Sequence, residues 1–413
     1  MGWHRRLDGG TGGDAGGVHA VARAGPRVLT HGLGIRNGTL CVIGSALVLL
    51  CTVGLTISVL RVRVLRSIAP AASPASRGHS DMSVIIPARN EADNLRALLA
   101  DLRSQTVAPK EILVVDDESS DATASIAHAA GARVVATGAR PNGWNPKVWA
   151  LTVGAKASSG SVLCFLDADV RLAPSALGCL GAELQQCGGL VSVAPQHRIG
   201  APVEVLSLAC NVIAVAGGGP GWRAGPDGSS QGAVGSCVVI AAEDYARVGG
   251  HAASPATIVD DLRLAAAARA MHIPVTLRRG GAVVSMRSYP NGLRSIVDGW
   301  SKNLAAGAAT TQLLVGVAVS GWLAALMLPG VLVARGRLSA ASVLWVLGSI
   351  HAMWLARRVG RFGPVAGLVW PMIAAFTTFV TVRSVLLRFL RRDVEWRGRR
   401  LSPNGLEHTG ARR

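Results

Sequence analysis

Aromatic side chains make up only 4% of this chain, and lysine is scarce, confined to Lys110, Lys147, Lys156 and Lys302. With so few rings, no basic stripe is interleaved with aromatic residues, which argues against a nucleic-acid surface. Neither a Walker A loop nor a G-x-G-x-x-G follows the first apolar strand, which counts against a kinase, an ATPase or a dehydrogenase. The seven cysteines lack C-x-x-C spacing, and Cys41 and Cys51 fall inside an apolar run. That pattern offers neither a zinc site nor a disulfide framework and suits a reducing compartment.

What is present is apolar and basic. Half the residues are hydrophobic, mean hydropathy is +0.37 and net charge is +18, a balance that points to a globular domain joined to membrane segments. The basic residues cluster beside the apolar runs, as expected for contact with anionic head groups. Residues 1–36 are Gly-rich, basic and aperiodic, and predict a disordered tail. Gly38–Leu60 is long enough to span a bilayer (segment 37–61), and Arg61, Arg63 and Arg66 place its C-terminal end in the cytoplasm. A linker rich in Ala, Ser and Pro occupies 62–81. Three further apolar segments, about 312–333, 339–356 and 363–387, precede a basic tail at 388–413. Simple alternation from a cytoplasmic domain would put that tail outside, against the positive-inside tendency. Either one segment, with the short 339–356 the candidate, fails to span fully or the tail is an exception.

Between the apolar regions the pattern is βαβαβαβ. Met82–Pro87, Glu111–Val115, Arg133–Ala136 and Val162–Leu166 read as strands, with helices between them, one beginning near Lys147. Such alternation implies right-handed crossovers and a parallel sheet. Ligands of open α/β sheets collect beyond the carboxyl ends of the strands. Two strand ends here are acidic, Asp116-Asp117 after the second and Asp167-Ala-Asp169 after the fourth, and Lys147 stands at a helix start. Two carboxylates one residue apart repel unless a cation sits between them, and a hard divalent ion is the natural candidate. Asp167 and Asp169 as caps of the next turn, Asp116 and Asp117 as an N-cap, and Lys147 as a solvated cation remain open alternatives.

Three ordered motifs resemble the opening of a family 2 glycosyltransferase: Ser-Val-Ile-Ile-Pro-Ala-Arg-Asn-Glu at 83–91, Val-Val-Asp-Asp-Glu-Ser-Ser-Asp at 114–121, and Asp-Ala-Asp at 167–169. The segments 143–150, 259–262, 299–303 and 394–399 are similar to the membrane-bound, lipid-glycosylating branch: ceramide glucosyltransferases, hopanoid-associated enzymes and carotenoid glycosyltransferases. The resemblance implies an α/β GT-A domain over 82–311, built on a mostly parallel nucleotide-binding sheet. One N-terminal and about three C-terminal transmembrane helices would accompany it. It also implies inverting, metal-dependent transfer from a nucleotide sugar, with Mn or Mg as cofactor. Asp117 with Asp116 would contact the nucleoside; Asp167 would face ribose and metal, and Asp169 would hold the metal. Asp261 matches the catalytic base, and Asp260 stands where that motif usually has Glu. The Q-x-x-R-W motif is degenerate at 296–300, keeping only Trp300, and Lys302 is the substitute expected for its missing Arg.

In such a transfer a carboxylate takes the acceptor proton while cations offset the charge leaving with the diphosphate. Asp260 and Asp261 also open a helix, so capping is their plainer reading. His251 is read as structural and set aside. The Gly-rich stretch Ser229–Ile240 reads as a strand allowing close backbone approach, either of substrate or of neighbouring chain. Leu293, Ile296, Val297, Trp300 and Leu304 share a helical face; periodicity alone fits a buried core helix nearly as well, but the apolar span that follows points to the membrane interface with Trp300 at head-group depth, and Val203–Ala216 would be a second such helix. The expected partners are a nucleotide-sugar donor, a membrane lipid acceptor and the bilayer, in a multi-pass protein of the cell membrane with a cytoplasmic catalytic domain. A processive polysaccharide synthase and a catalytically dead membrane scaffold are the alternatives.

Overall fold

The structure is a computed structural model that describes residues 45–57, 59–60, 81–218, 230, 232–257, 259–308, 313–389, 394–396 and 399–401. The expectations for the 1–36 tail, nearly all of the 62–81 linker and most of the 388–413 tail lie outside those residues. Two compact units divide the chain, residues 1–46 and Leu47–Arg413. Of the first, only Ser45 and Ala46 are described.

A seven-stranded sheet forms the centre. β1 (Met82–Ala88), β2 (Glu111–Asp116), β3 (Arg133–Ala136) and β4 (Val162–Leu166) run parallel in the order β3-β2-β1-β4. The chain moves outward from β1 to β3 and then crosses back to β4, so the strand order reverses beside β1. A crevice opens at such a reversal. Beyond β4 the sheet departs from the parallel expectation. After β5 (Val170–Leu172), β6 (Leu190–Ala194) and β7 (Gln196–Arg198), β8 (Cys237–Ala241) inserts antiparallel to both β4 and β6, and β9 (Val275–Arg279) closes the edge parallel to β6.

Side chains of β1 alternate between two cores, as a strand of period two buried on both faces must. Val84 and Ile86 join Val114, Cys164 and Leu166 beneath α2 (Ala92–Arg103), whose Leu95, Leu98, Leu99 and Leu102 form its buried stripe. Ile85 faces the opposite core with Leu113, Val115, Leu163 and Phe165. Helix α3 (Thr123–Ala129) flanks the first layer, and α4 (Pro146–Ala157) lies on the second. α4 starts where the sequence dictates: Asn145 Oδ1 accepts the N–H groups of Lys147 (3.0 Å) and Val148 (3.4 Å), with Pro146 at the first helical position. Helices α5 (Ala176–Cys187), α6 (Leu208–Gly218), α7 (Ala242–Arg247) and α8 (Asp260–Ala270) follow.

A second, four-stranded sheet ties the two halves of the molecule. β10 (Val284–Met286) pairs with β5 and β7, and β7 also pairs with the two-residue β11 (Gly360–Arg361). The remaining helices are α1 (Ser45–Ile57), α9 (Leu293–Ala308), α10 (Leu313–Ala334), α11 (Leu338–Val359), α12 (Val365–Leu368) and α13 (Trp370–Phe389). Three of them, α10, α11 and α13, contain stretches long and apolar enough to cross a membrane.

Two expectations for the interface need correction. Trp300 is only 6% exposed: Ile296 and Trp300 pack with Cys210 and Val380, and the indole N–H donates to Ser207 Oγ at 3.0 Å. Its face of α9 is covered by α13 rather than open to head groups. The expected helix at 203–216 is a 3-10 turn, Pro202–Ser207, followed by α6. Val205, Leu208, Ala209, Val212, Val215 and Ala216 are buried in one cluster with Leu55, Trp322, Leu355 and Ile373 from the apolar helices. An amphipathic stripe looks the same in sequence whether lipid or another helix covers it.

Candidate active site

The C-terminal end of β4, the start of α4 and the start of α8 converge on one cation, Lys147. Lys147 Nζ lies 2.8 Å from Asp167 Oδ1 and 3.9 Å from Asp260 Oδ2. Burial alone would push the Lys147 ammonium down; the charges of Asp167, Asp260 and Asp261 outweigh it and hold its pKa above the ordinary lysine value. Lys147 is thus no solvated surface residue, although its side chain keeps 36% exposure. A phosphate could therefore still reach it, beside the N–H groups of the first turn of α4.

Asp261 sits one residue into α8. Burial, and then the charge of neighbouring Asp260, push its carboxyl up to about 7; Lys147 and the N–H groups of Leu262 and Gly235 pull the other way. A carboxyl poised near neutrality suits proton transfer. Gly235 explains part of this geometry. A methyl at that position would lie 3.1 Å from Asp261 Cβ and 3.2 Å from its carboxyl carbon. The Gly-rich approach expected for the 229–240 stretch is therefore made to the side chain of Asp261, with β8 shorter than the predicted strand; Ser229 and Gln231 lie outside the described residues.

Asp167 and Asp169 flank the β4–β5 junction. A turn does follow at Ala168–Asp169, closed by the Val170 N–H on the Asp167 carbonyl (3.1 Å), while the Asp167 carboxylate is engaged by Lys147. Two hard carboxylates fit a divalent ion that arrives with substrate phosphates. Among the described residues no cluster of three His, Cys, Asp or Glu side chains could hold such an ion alone. Asp117 is 7% exposed, with Arg89 Nη1 donating to its carbonyl at 2.6 Å and lying 4.0 Å from its carboxylate. Asp116 Oδ1 accepts the Ser119 N–H at 3.3 Å. Helix capping falls instead to Asp121, whose carboxylate accepts the N–H groups of Ala92 (3.2 Å) and Thr123 (2.9 Å). Lys302 is half-buried on α9, the helix that also carries Trp300.

Three further residues stand around these acids: His251, set aside as structural on the sequence, and two tyrosines not singled out there. His251 stands 3.9 Å from Asp260 through Nε2, and burial pushes its imidazole down to about 4 despite Asp260. Tyr245 accepts the His251 backbone N–H (3.0 Å) and lies 2.8 Å from Nδ1. With the phenol donating to Nδ1, the ring proton stays on Nε2, facing Asp260. Tyr289 is the third. Burial and then Asp169, Cys210 and Asp167 raise its phenol, which places it among the same charges. Its ring fits only because position 299 is glycine, where a Cβ would come within 2.1 Å of it, and Asn303 Nδ2 donates to its hydroxyl at 2.9 Å. One usable signal existed: the chain has only two tyrosines, and both are here.

Residues 83–204 match the model of the glycosyl transferase family 2. A 4,4'-diaponeurosporenoate glycosyltransferase of Staphylococcus haemolyticus (strain JCSC1435) is 32% identical over 337 residues, covering 78% of this chain and 88% of that protein. The protein of the same name from Staphylococcus aureus (strain MRSA252) is 30% identical over 334 residues, with 78% and 89% covered. Among solved structures, a mannosyltransferase from Pyrobaculum calidifontis in complex with GDP-Man and Mn2+ aligns at a TM-score of 0.47 and 17% identity over 83% of this chain and 99% of that one. Glucosyl-3-phosphoglycerate synthase from Mycobacterium tuberculosis, in complex with phosphoglyceric acid, aligns at 0.40 and 20% identity, covering 61% and 88%.

Proposed function

The chain belongs to glycosyl transferase family 2, and on that footing we propose a membrane-anchored, inverting transferase that moves a sugar from a nucleotide-sugar donor to a hydroxyl of a lipid or polyisoprenoid acceptor. The observation that carries this reading is the gathering of Asp167, Asp260 and Asp261 around Lys147. Asp261 takes the proton of the attacking hydroxyl, a task its raised pKa suits. Lys147, at the N-terminus of α4, receives the diphosphate and exchanges part of its hold on Asp167 for the phosphate oxygens. His251 and Tyr245 steady Asp260, and through the helix turn they share, Asp261. Asp116 and Asp117 line the end of β2, where the nucleoside would lie. Asp169, with Asp167, would hold a divalent ion, Mn2+ or Mg2+, that offsets charge gathering on the departing diphosphate.

The acceptor reading draws on the relatives, whose name denotes a carotenoid carboxylate. It draws also on the exposed apolar faces of α1, α10, α11 and α13, among them Leu50, Leu313, Leu347 and Phe379. Arginines follow the N-terminal apolar run and crowd the C-terminal end of α11, which supports a multi-pass protein with its catalytic domain in the cytoplasm. A second reading follows from the relatives' name: an acceptor carboxylate, already ionised at neutral pH, would need no base.

One experiment separates these readings. Membranes holding the protein are incubated with a panel of labelled nucleotide sugars, with and without Mn2+, and the lipid extract is analysed. A labelled lipid is expected; a polymer would indicate a processive synthase, and no turnover with any donor would sink the enzyme reading. Asp261→Asn is expected to abolish transfer to a lipid hydroxyl while donor binding persists. Undiminished transfer in that variant would refute the role given to Asp261 and favour a carboxylate acceptor.

A further inference from the structure

We propose that α12 and α13 form a re-entrant hairpin, which enters the bilayer from the catalytic face, turns near mid-depth and returns to the same face. The inference rests on the reading of α10 and α11 as membrane helices. Three apolar C-terminal segments would then make two crossings.

The direction of α11 is set by what holds its last residues. Arg279 Nη1, on β9 of the catalytic sheet, donates to the carbonyl of Arg358 at 2.7 Å. Gly360 and Arg361 pair with His197 and Arg198, and the Phe362 ring stacks on His197 at 5.1 Å and 11°. The C-terminal end of α11 is therefore the catalytic end. α10 and α11 form an antiparallel pair closed by a turn at Gly336 (φ +70°), with Trp322 Nε1 donating to His351 Nε2 at 3.2 Å. Residues 335–337 mark the far end.

After Phe362 the chain goes back alongside α11. A methyl at Gly367 would lie 3.2 Å from the carbonyl oxygen of Ser349 and 2.9 Å from Met353 Cε. The Trp370 ring covers Gly348, where a Cβ would come within 2.5 Å of it, and its indole donates to the Trp345 carbonyl at 3.1 Å. Gly348 lies about eleven residues, roughly 16 Å, from the catalytic end of α11. That is about half of a hydrocarbon core roughly 30 Å thick. α13 thus begins near mid-depth.

Its other end is tied to the catalytic side. Val380 packs on Ile296 and Trp300 of α9, Ser384 Oγ donates to the Ser301 carbonyl at 2.6 Å, and Arg383 Nη2 donates to Asp298 Oδ1 at 2.8 Å. α9 in turn contacts Ser207 and Tyr289 beside the catalytic acids. From mid-depth, about ten residues of helix suffice to reach the surface, which is where Arg383 meets its partner.

Backbone turning inside a bilayer must satisfy its own polar groups. Here Gly367 N–H bonds to Pro364 O (3.1 Å), Val369 to Val365 (3.0 Å), and both Met372 (2.9 Å) and Ile373 (3.1 Å) to Val369. The side chains left outward at the turn, Val365, Leu368 and Met372, are apolar and more than half exposed. The charge conflict noted in the sequence also disappears. The arginines from 388 to 400 then share a face with Arg357, Arg358 and Arg361, and only Arg335 and Arg337 occupy the far turn.

Cysteine labelling with a membrane-impermeant maleimide in intact and permeabilised cells tests this, using full-length variants that retain transfer. Glu243→Cys marks the catalytic domain, Arg337→Cys the far turn, and Arg391→Cys and Arg413→Cys the chain after α13. The two C-terminal sites should label on the same side as Glu243→Cys, opposite to Arg337→Cys. If they label with Arg337→Cys instead, α13 crosses and the hairpin is refuted while the membrane reading stands. If all four sites fall on one side, α10 and α11 do not cross, and the membrane reading fails together with the hairpin.

Discussion

Replacing Lys147 by Met removes the one cation that three aspartates share, and its consequence is a displaced pH profile. Lys147 pulls the Asp261 carboxyl down against burial and the charge of Asp260. The ion-pair partners of Lys147 are Asp167 and Asp260, so its pull on Asp261 is weaker than the about 4 kcal/mol of two unit charges some 4 Å apart at an effective dielectric of 20. The ammonium is 36% exposed, so solvent screening reduces this toward the ~1 kcal/mol of exposed pairs. At 1.36 kcal/mol per unit, losing Lys147 raises the Asp261 pKa by about one unit. The sign follows: a base must be ionised to work, so the acid limb of kcat/KM, placed at about 7 in the native protein, moves to higher pH. At pH 7 the ionised fraction falls about fivefold, and raising the pH to 9 recovers that part. A pH-independent loss on the order of a hundredfold remains, because the diphosphate has lost its charge partner. Lys147→Arg should keep the acid limb in place. The assay is the initial rate of labelled sugar entering extractable lipid between pH 5.5 and 9.5. An acid limb unmoved in Lys147→Met, or moved to lower pH, would refute the coupling.

Two further substitutions probe the supports of the site. Gly235→Ala brings a methyl to 3.1 Å from Asp261 Cβ, so the carboxylate must shift by a few tenths of an ångström; kcat should fall about tenfold or more with donor affinity unchanged, as measured by equilibrium binding of labelled donor. Gly189→Ala puts a Cβ 2.2 Å from the Pro274 carbonyl at a residue with φ +63°, where β6 starts. Denaturant or thermal unfolding of the purified protein should show a loss of about 3 kcal/mol or more, and an unchanged stability would mean the backbone there relaxes freely.

The amino-acid order alone determined the elements whose causes are local. Short apolar runs became β1, β2 and β4 within a residue or so, since a strand buried on both faces needs nothing but consecutive apolar side chains, and β3 formed as the half-exposed edge strand. Asn145-Pro146 started α4 through a cap contained in three residues, and the acids after β2 and β4 lay where a parallel sheet leaves its strand ends open. The three C-terminal apolar segments were equally plain from length.

Tertiary structure decided everything that depended on who covers whom. β8 enters the sheet antiparallel between β4 and β6, and no property of Cys237–Ala241 distinguishes that from a parallel placement. The strands β7, β10 and β11 are two or three residues long and exist because of partners far away in the chain, as Gly360 pairing with His197 shows. Trp300 carries the same stripe whether lipid or α13 lies on it, and the indole bond to Ser207 decides between them. His251, Tyr245 and Tyr289 acquire meaning only from the carboxylates brought against them. The direction of α13 likewise lies not in its hydropathy, which is blind to polarity of the chain, but in Trp370 resting on Gly348 and Arg383 meeting Asp298. Periodicity reports that a face must be buried; only packing supplies what buries it.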